Sequence, residues 1–345
     1  MKHLELHILQ SVPVSCLNRD DLNSPKTAVF GGVPRARVSS QCFKRAIREN
    51  IKEIEPTLFQ GERTRLIYKP LFDALQGQGL SKNESEDGAK AIVDYLVILD
   101  EKSKEQNKSK TLYFMSPFEI KTIAQKFKET KDAKKSCKAI NAETLTDAAD
   151  ISLFGRMVAK DSSLNVEGAA SFSHALSTHK VDNEIDFFSA VDDLKNSDES
   201  GAGMIGTLEF NSAVYYRFAT LNLSMLADKD HLGSISLESR QKVVRAFAES
   251  TIMAFPSARK NTMNGNTLPV YVMGVIRDKG HPIQLINAFE NAIKSNSGYV
   301  PESISRLQSE YATNRRAFNL DEDRVLILHD IGLRSFLNEV SLHVV

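Results

Sequence analysis

Apolar and polar residues alternate from the start of the chain, and this alternation is the sequence feature that most limits the fold. Within residues 3–8, aliphatic side chains occupy the even positions, and charged or histidine side chains occupy the odd positions. A period of two is typical of a β-strand that has one face in the core and the other in water. We therefore predict that the chain begins with a half-buried strand.

Patterns further along the chain predict the order of the other elements. Residues 11–38 are rich in Pro, Gly, Asn and Asp and predict a long loop. A helix is predicted after it, with Ser39 or Ser40 as the N-cap. The later elements are predicted, in chain order, as helices at 84–107 and 117–140, a strand at 205–223, a helix around 236–254, a strand around 270–276 and a helix around 283–295. This order predicts an α+β fold with an antiparallel sheet and insertions.

Composition argues against several classes of protein. The 345 residues include 44 Lys plus Arg and 44 Asp plus Glu, so a nucleic-acid surface would require local segregation of charge. Cys16, Cys42 and Cys137 are an odd number without C-x-x-C spacing, which argues against a disulfide framework and a zinc finger. No metal or cofactor is expected. The sequence contains no signal-peptide core and no long apolar run, so a cytoplasmic location is expected.

Positive charge is concentrated in residues 17–52, where eight Lys or Arg and three acidic residues give a local charge of +5. In a helix that starts near Ser40, one face carries Gln41, Lys44, Arg45 and Arg48 and no acidic residue. The loop before it supplies four more cations, at Arg19, Lys26, Arg35 and Arg37, and Gly31-Gly32 would allow backbone amides to approach an anion. These features predict a phosphate site, and the alternative is a solvated amphipathic helix.

The chain changes character at residues 180–203. Seven acidic residues and the aromatic pair Phe187-Phe188 fall in this segment, which ends in a polar, glycine-containing run at 196–203. We predict an excursion from the body of the fold with a flexible tip. The eleven lysines and six acidic residues of 100–138 predict a solvated helical subdomain, with extra phosphate contacts as the alternative.

Two other groups are predicted to be structural. The strand aromatics Tyr215, Tyr216 and Phe218 have the spacing of an RNA-stacking stripe, but such residues more often face a core. His174 and His179 lie five apart, which does not place them on one helix face as metal ligands.

Nine stretches of the chain together carry a resemblance. They are residues 17–22 (LNRDDL), 25–33 (PKTAVFGGV), 35–41 (RARVSSQ), 149–157 (ADISLFGRM), 165–167 (NVE), 174–179 (HALSTH), 186–194 (DFFSAVDDL), 203–210 (GMIGTLEF) and 255–261 (FPSARKN). In this order they resemble the CasC-type backbone subunit of type I-E CRISPR Cascade complexes. Residues 65–140 and the last forty match more loosely, and 262–266 lack a histidine that the family often carries there.

The resemblance implies a hand-like architecture. An RRM-like (ferredoxin-like) palm would carry the antiparallel sheet, with a helical fingers insertion and a β-hairpin thumb. On this basis the chain divides into a first part of the palm at 1–60, fingers at 61–178, a thumb at 179–206 and a second part of the palm at 207–345.

The resemblance also implies a function without catalysis. Copies of such a subunit stack as a helical filament along a CRISPR guide RNA (crRNA) and present it in segments for pairing with target DNA. The implied partners are the crRNA, further copies of the chain, other Cascade subunits and, through the crRNA, the target DNA strand. No membrane partner is expected.

Residue roles carry over by position. RNA-backbone contacts are implied for Arg19, Lys26, Ser40, Gln41, Lys44, Arg48, Arg259 and Lys260, to which the helix face adds Arg45. Met157 is implied to lie against the bases, and Phe187 and Phe188 to form the thumb wedge.

Two alternatives remain open. One is a metal-dependent RNA endonuclease of the same fold that uses Asp20 or Asp21, because related subunits of type III complexes cut RNA with an acidic residue in the corresponding loop. Adjacent carboxylates diverge and no third acid is obviously convergent, so we predict instead that they fix the loop by pairing with Arg19 or Lys26. The other alternative is a single-strand binder that does not polymerise.

Overall fold

The structure is a computed structural model that describes residues 1–103, 107–190, 204–320 and 323–345. The β-strands within these ranges are, in chain order, β1 (His3–Ser15), β2 (Thr27–Phe30), β3 (Val33–Val38), β4 (Glu62–Thr64), β5 (Tyr113–Met115), β6 (Ala170–Phe172), β7 (Ala175–Ser177), β8 (Glu184–Ala190), β9 (Met204–Asn222), β10 (Tyr271–Arg277) and β11 (Arg324–Ile327).

Helices connect and cover these strands. They are α1 (Ser40–Ile54), α2 (Tyr68–Gly77), α3 (Lys82–Leu96), α4 (Pro117–Thr130), α5 (Ala133–Cys137), α6 (Ala149–Phe154), α7 (Leu223–Leu226), α8 (Leu237–Met253), α9 (Lys260–Met263), α10 (Val300–Ala317), α11 (Leu328–Ile331) and α12 (Leu333–Ser341). Short 3₁₀ turns occur at Ala142–Thr144, Ser162–Leu164 and Ile286–Phe289.

One large antiparallel sheet organises the described part of the chain. Its strands lie in the order β11-β10-β1-β9-β7-β3-β2, and β6 and β8 pair with further parts of the long β9. The first strand is central, because it pairs with β10 from His3 opposite Arg277 and with β9 from His3 opposite Asn222. The predicted α+β fold with an antiparallel sheet is therefore confirmed. The RRM-like detail stays a prediction.

Both faces of β1 are buried, whereas the sequence predicts burial of one. Leu4, Leu6 and Ile8 belong to a core that includes α8 and α12, and the opposite face is covered by the 283–293 segment and α10. Glu5 is fully buried there because Arg277 Nε donates to its carboxylate at 2.6 Å. The alternation therefore predicts the strand correctly but not the polar pairing that allows its second face to be covered.

The predicted loop at 11–38 is wrong for much of its length. Its later part forms the hairpin β2–β3, in which Phe30 pairs with Val33 across Gly31 and Gly32. Both glycines have positive φ, 61° and 76°, as a tight two-residue hairpin turn requires. The many turn-forming residues therefore mark short connections between strands rather than one long loop.

The predicted helix at 283–295 is also wrong. Leu285, Phe289 and Ile293 are buried at helical spacing, but this segment crosses the sheet as irregular chain with a single 3₁₀ turn. The helix of this region is α10, which begins later and buries Leu307 and Tyr311. Three further predictions are confirmed by β9 at Met204–Asn222, α8 at Leu237–Met253 and β10 at Tyr271–Arg277, and α4 with α5 covers most of the predicted 117–140 helix. The predicted helix at 84–107 ends early, because α3 stops at Leu96 and Val97 is already extended.

Helices α2 to α5 form a second apolar core of their own. Leu71, Leu75, Ile92 and Ile123 are fully buried in this cluster, which β5 closes on one side. Within the interval 61–178, β6 and β7 nevertheless pair with the large sheet. The division of the chain into palm, fingers and thumb stays a prediction. Within the described ranges, no helix has both the length and the apolar character to cross a membrane.

Candidate nucleic-acid interface

Helix α1 is fixed by local signals that the sequence carries. Ser39 is the N-cap, and its hydroxyl accepts a hydrogen bond from the Cys42 amide at 3.3 Å. The apolar side chains Phe43, Ile47 and Ile51 are buried against the sheet. The opposite side of the helix is therefore presented outward, as predicted, and Gln41 and Arg45 on it are exposed.

Lys44 and Arg48 lie half-buried on this outer side, over aromatic rings. The Lys44 ammonium is 5.4 Å from the ring centroid of Phe172, and the Arg48 guanidinium is 5.8 Å from that of Phe114. Within the described ranges neither cation has a carboxylate at ion-pair distance. The rings hold the two charges in place without neutralising them.

Arg63 completes this group, although no sequence motif points to it. It lies on β4 and pairs in register with Phe114 of β5, the residue beneath Arg48. Burial and the nearby Arg63 charge lower the pKa of both Lys44 and Arg48. We call Lys44, Arg48 and Arg63 the α1 cation cluster. Such mutual repulsion is relieved by an anion, so the cluster is suited to a phosphate group.

Arg45 differs from its neighbours. Its guanidinium donates to the Glu49 carboxylate at 2.8 Å, and both side chains are mostly exposed. The predicted helix face without an acidic residue is therefore wrong at this position, because Glu49 lies one turn after Arg45. An exposed pair of this kind contributes about 0.3–0.5 kcal/mol and leaves Arg45 able to exchange partners.

A second group of cations lines one cleft. Arg19, Arg259 and Lys260 are brought together there, with Ser257, Asn261 and Thr262 between them. The loop that carries Arg19 is tied to the start of α1, because the Ser39 amide donates to Asn18 Oδ1 at 2.9 Å. Arg19 and the Arg259-Lys260 pair are far apart in the sequence and were assigned to RNA by the resemblance, and they line one cleft next to α1.

Lys26 and Arg37 lie on the hairpin beside the first turn of α1. Arg37 Nε donates to the Thr27 carbonyl at 3.1 Å, and its Nη1 lies 3.3 Å from His174 Nδ1. Burial, Arg37 and Lys26 together lower the pKa of His174. Ser40 is half-buried at the adjacent helix start. This side of α1 is positively charged as well.

Arg35 has a structural role, contrary to the predicted loop cation. It is completely buried, and its guanidinium donates to the carbonyls of Phe30, Ser177, Phe289 and Glu290 at 2.7–3.2 Å. Gly31 packs against one of these carbonyls, since a Cβ there would lie 1.7 Å from the Glu290 oxygen. The predicted role of Gly31 in approaching an anion is therefore replaced by close packing against the chain.

The acidic pair of the loop does not form the predicted ion pairs. Asp20 Oδ1 accepts from the amides of Leu22 and Ser24 at 2.9 and 3.0 Å, while Arg19 donates to Asn23. Asp20 therefore fixes the loop through its backbone rather than through Arg19 or Lys26. Across the described residues, no group of three His, Cys, Asp or Glu has the geometry of a metal site.

Met157 is 80% exposed and follows a buried anchor. Arg156 donates to both oxygens of Glu119, at 2.7 and 2.9 Å, and to the carbonyls of Leu164 and Phe114. The neighbour of Met157, Arg156, therefore contacts the same residue, Phe114, whose ring lies beneath Arg48.

Strands β8 and β9 form an antiparallel hairpin, and the predicted tip at 196–203 lies outside the described residues. Phe187 is 65% exposed, whereas the Phe188 ring crosses Gly206, where an added Cβ would lie 2.6 Å from it. The base of the hairpin contacts the basic loop, since Asn183 Nδ2 donates to the Pro25 carbonyl at 3.3 Å.

The predictions for the strand aromatics and for His179 are confirmed, whereas His174 is exposed on the surface beside Arg37. Tyr215 and Tyr216 are buried in the core, and Phe218 packs against the same apolar cluster as Tyr216. His179 is buried and stacked on Tyr299 with ring centroids 3.7 Å apart, so it has a structural role.

A comparison with known protein families identifies the family to which this chain belongs. A model of the CT1975-like protein family matches residues 4–340. The chain belongs to the CT1975-like protein family. A solved structure described as "CRISPR RNA-guided surveillance complex, pre-nicking" contains a chain that is 29% identical to this CT1975-like protein. The match covers 94% of the present chain and 90% of the chain in that structure, with a TM-score of 0.79.

A second chain, from a "CRISPR RNA-guided surveillance complex", is 25% identical to the CT1975-like protein, covers 94% of it and 87% of that chain, and has a TM-score of 0.60. The resemblance to a CasC-type backbone subunit is thereby confirmed for this CT1975-like protein. A search of curated proteins finds no match.

Proposed function

We propose that this protein is the crRNA-binding backbone subunit of a type I-E CRISPR surveillance complex, and that copies of it polymerise along the guide. The observation that carries the proposal is the α1 cation cluster, whose three charges have no carboxylate at ion-pair distance in the described residues. The similar chains belong to complexes described as RNA-guided, which supports RNA as the anion.

The chemistry of the surface fits a subunit that accepts any guide sequence. Lys and Arg side chains recognise phosphate, which is the same for every base, and carry no direct sequence information. The cleft of Arg19, Arg259 and Lys260 and the Lys26 side of α1 lie around the same helix as the α1 cation cluster, and we propose that a single strand contacts all three. We also propose that the exposed Met157 packs its thioether on a base without reading the base identity.

The hairpin supports the proposal that copies assemble. Ile185, Phe187 and Ile205 are each more than 60% exposed on it, which is an unusual density of apolar surface on so small an element. We propose that these side chains contact the bound RNA and the next copy, and that the crRNA is presented in segments to a target DNA strand. Other Cascade subunits would then cap the filament, and the role is non-catalytic and cytoplasmic.

The test measures binding of unrelated single-stranded RNAs at several salt concentrations. For Lys44→Glu/Arg48→Glu we expect broadly weaker binding on every sequence, and a salt slope smaller by about 0.7 for each lost phosphate contact. The control is Lys69→Glu/Lys242→Glu, which makes the same change in net charge at two exposed helix pairs. The proposal fails if the folded Lys44/Arg48 variant binds like the control.

A further inference from the structure

Asp150, on α6, is a buried carboxyl group without a good partner. It is completely buried, and neither carboxylate oxygen makes a hydrogen bond of good geometry in the described residues, although the backbone amides of Asp150 and Gly61 lie close enough to favour its charged form. Gly61 packs directly on it, since an added Cβ there would lie 2.5 Å from Oδ1 and 2.7 Å from Oδ2. A buried polar group of this kind costs stability and calls for a functional explanation.

The charged groups around Asp150 belong to α1 and β4. Lys52 faces it but is engaged elsewhere, because its ammonium donates to the Gly61 carbonyl at 2.6 Å and to Glu62 at 3.0 Å. Arg48 also faces Asp150. Among the acidic residues, Asp150 has the largest electrostatic effect on the pKa of Arg48.

The other charged groups of these elements have contacts of their own. Asp147, on the segment before α6, accepts from the Phe118 amide at the start of α4. Glu49 of α1 is paired with Arg45, and the charge of Arg63 on β4 lowers the pKa of Arg48. β5 contributes the uncharged ring of Phe114. The Asp150 carboxyl is therefore the acidic group placed beneath the α1 cation cluster.

Burial raises the pKa of Asp150 to about 7, against the opposing influence of Lys52 and Arg48. Near neutral pH the carboxyl therefore exists in both its charged and its neutral form. The charged form attracts Arg48 from below without forming an ion pair, and the neutral form does not attract it.

We propose that Asp150 is the buried counter-ion of the α1 cation cluster, and that an RNA phosphate replaces it as the partner of Arg48 while the carboxyl takes up a proton from solvent. Asp150 is thus a positioning residue that acts through Arg48 and links RNA binding to protonation. This inference rests on the proposed function, since it requires that RNA phosphate occupies the cluster.

The sign of the effect follows from linkage. A bound phosphate adds negative charge near Asp150, which raises its pKa further, so the complex holds more protons than the free protein around neutral pH. Affinity for RNA must then fall as pH rises through the pKa of the free protein. We expect a several-fold loss between about pH 6 and about pH 8.

The experiment compares the native protein with Asp150→Asn, using a single-stranded RNA of arbitrary sequence. For Asp150→Asn, which keeps the shape but not the charge, we expect native-like affinity near pH 6, several-fold tighter binding than native near pH 8, and a flatter profile. His174→Asn is the matched control, because His174 also titrates close to this surface. This variant should keep the part of the pH dependence of RNA affinity that is due to Asp150.

A second measurement uses the native protein directly. Calorimetric titration with RNA near pH 7, in buffers of different ionisation enthalpy, should show net proton uptake that is smaller in Asp150→Asn. Equal pH profiles and equal proton uptake for native and Asp150→Asn would overturn the proposal. Failure of the native protein to bind RNA at any pH would instead refute the proposed function, so the two failures are distinguishable.

Discussion

Arg35 and Arg48 show how one residue type can serve two opposite purposes within a single basic segment. Arg35 is enclosed and donates to four backbone carbonyls. Its guanidinium therefore holds β3 to the 289–290 segment and is not accessible to a ligand. Arg48 lies over Phe114 with no carboxylate at ion-pair distance in the described chain, so its charge is available. A count of charges along the sequence treats the two alike, and only their partners separate them.

Two adjacent glycines give a residue-scale test of this arrangement. Gly31 and Gly32 both have positive φ, so alanine at either costs about 1 kcal/mol from backbone strain. Only Gly31 faces backbone, the Glu290 carbonyl, whereas nothing lies within 4 Å of a Cβ at Gly32. We expect urea unfolding to show a clearly larger loss for Gly31→Ala than for Gly32→Ala. Equal losses would contradict the close packing described here.

At the scale of elements, the predictable parts are those specified by neighbours in sequence. The start of α1 and its buried face follow from Ser39 and from apolar spacing, and the structure has both. The 283–295 segment has the same spacing, yet it is no helix, because its apolar residues are buried by crossing the sheet. Arg63 could not be found from the sequence, since it reaches the cluster through the pairing of β4 with β5 across fifty residues.

The two aromatic rings of the hairpin β8–β9 can be removed to test the proposed contact with RNA. Phe187 is exposed and Phe188 lies across Gly206, so removing both rings should leave the large sheet folded and phosphate contacts intact. Base stacking on an aromatic ring contributes about 1–3 kcal/mol and does not depend on sequence. For Phe187→Ala/Phe188→Ala we expect chemical probing of an assembled complex to lose its periodic reactivity along the guide. Retained periodicity and target affinity would make these rings structural.

At the scale of the whole molecule, segregation of charge reconciles a zero net charge with the proposed binding of RNA. Cations gather around α1 and the Arg19 cleft, while acidic side chains of the hairpin and of the surface helices balance them elsewhere. Local charge is what attracts a polyanion, so overall neutrality is no obstacle. It also limits non-specific binding of the free protein.

Scaffolding predicts that the protein leaves nucleic acid intact. The endonuclease alternative uses Asp20 or Asp21, and Asp20 is engaged by the amides of Leu22 and Ser24. We expect no cleavage of RNA or of paired DNA in Mg²⁺ or Mn²⁺, as judged on denaturing gels. Regularly spaced cuts that Asp20→Ala or Asp21→Ala abolishes would favour the endonuclease.

We propose that copies of this chain assemble along RNA without regard to the RNA sequence. Native mass spectrometry of the protein with single-stranded RNAs of increasing length and unrelated sequence tests it most directly. We predict that the number of bound copies rises in regular steps with RNA length, that each copy adds the same number of nucleotides, and that scrambled sequences give the same steps. A single bound copy at every length, or steps that depend on sequence, would contradict the proposed assembly of copies along RNA.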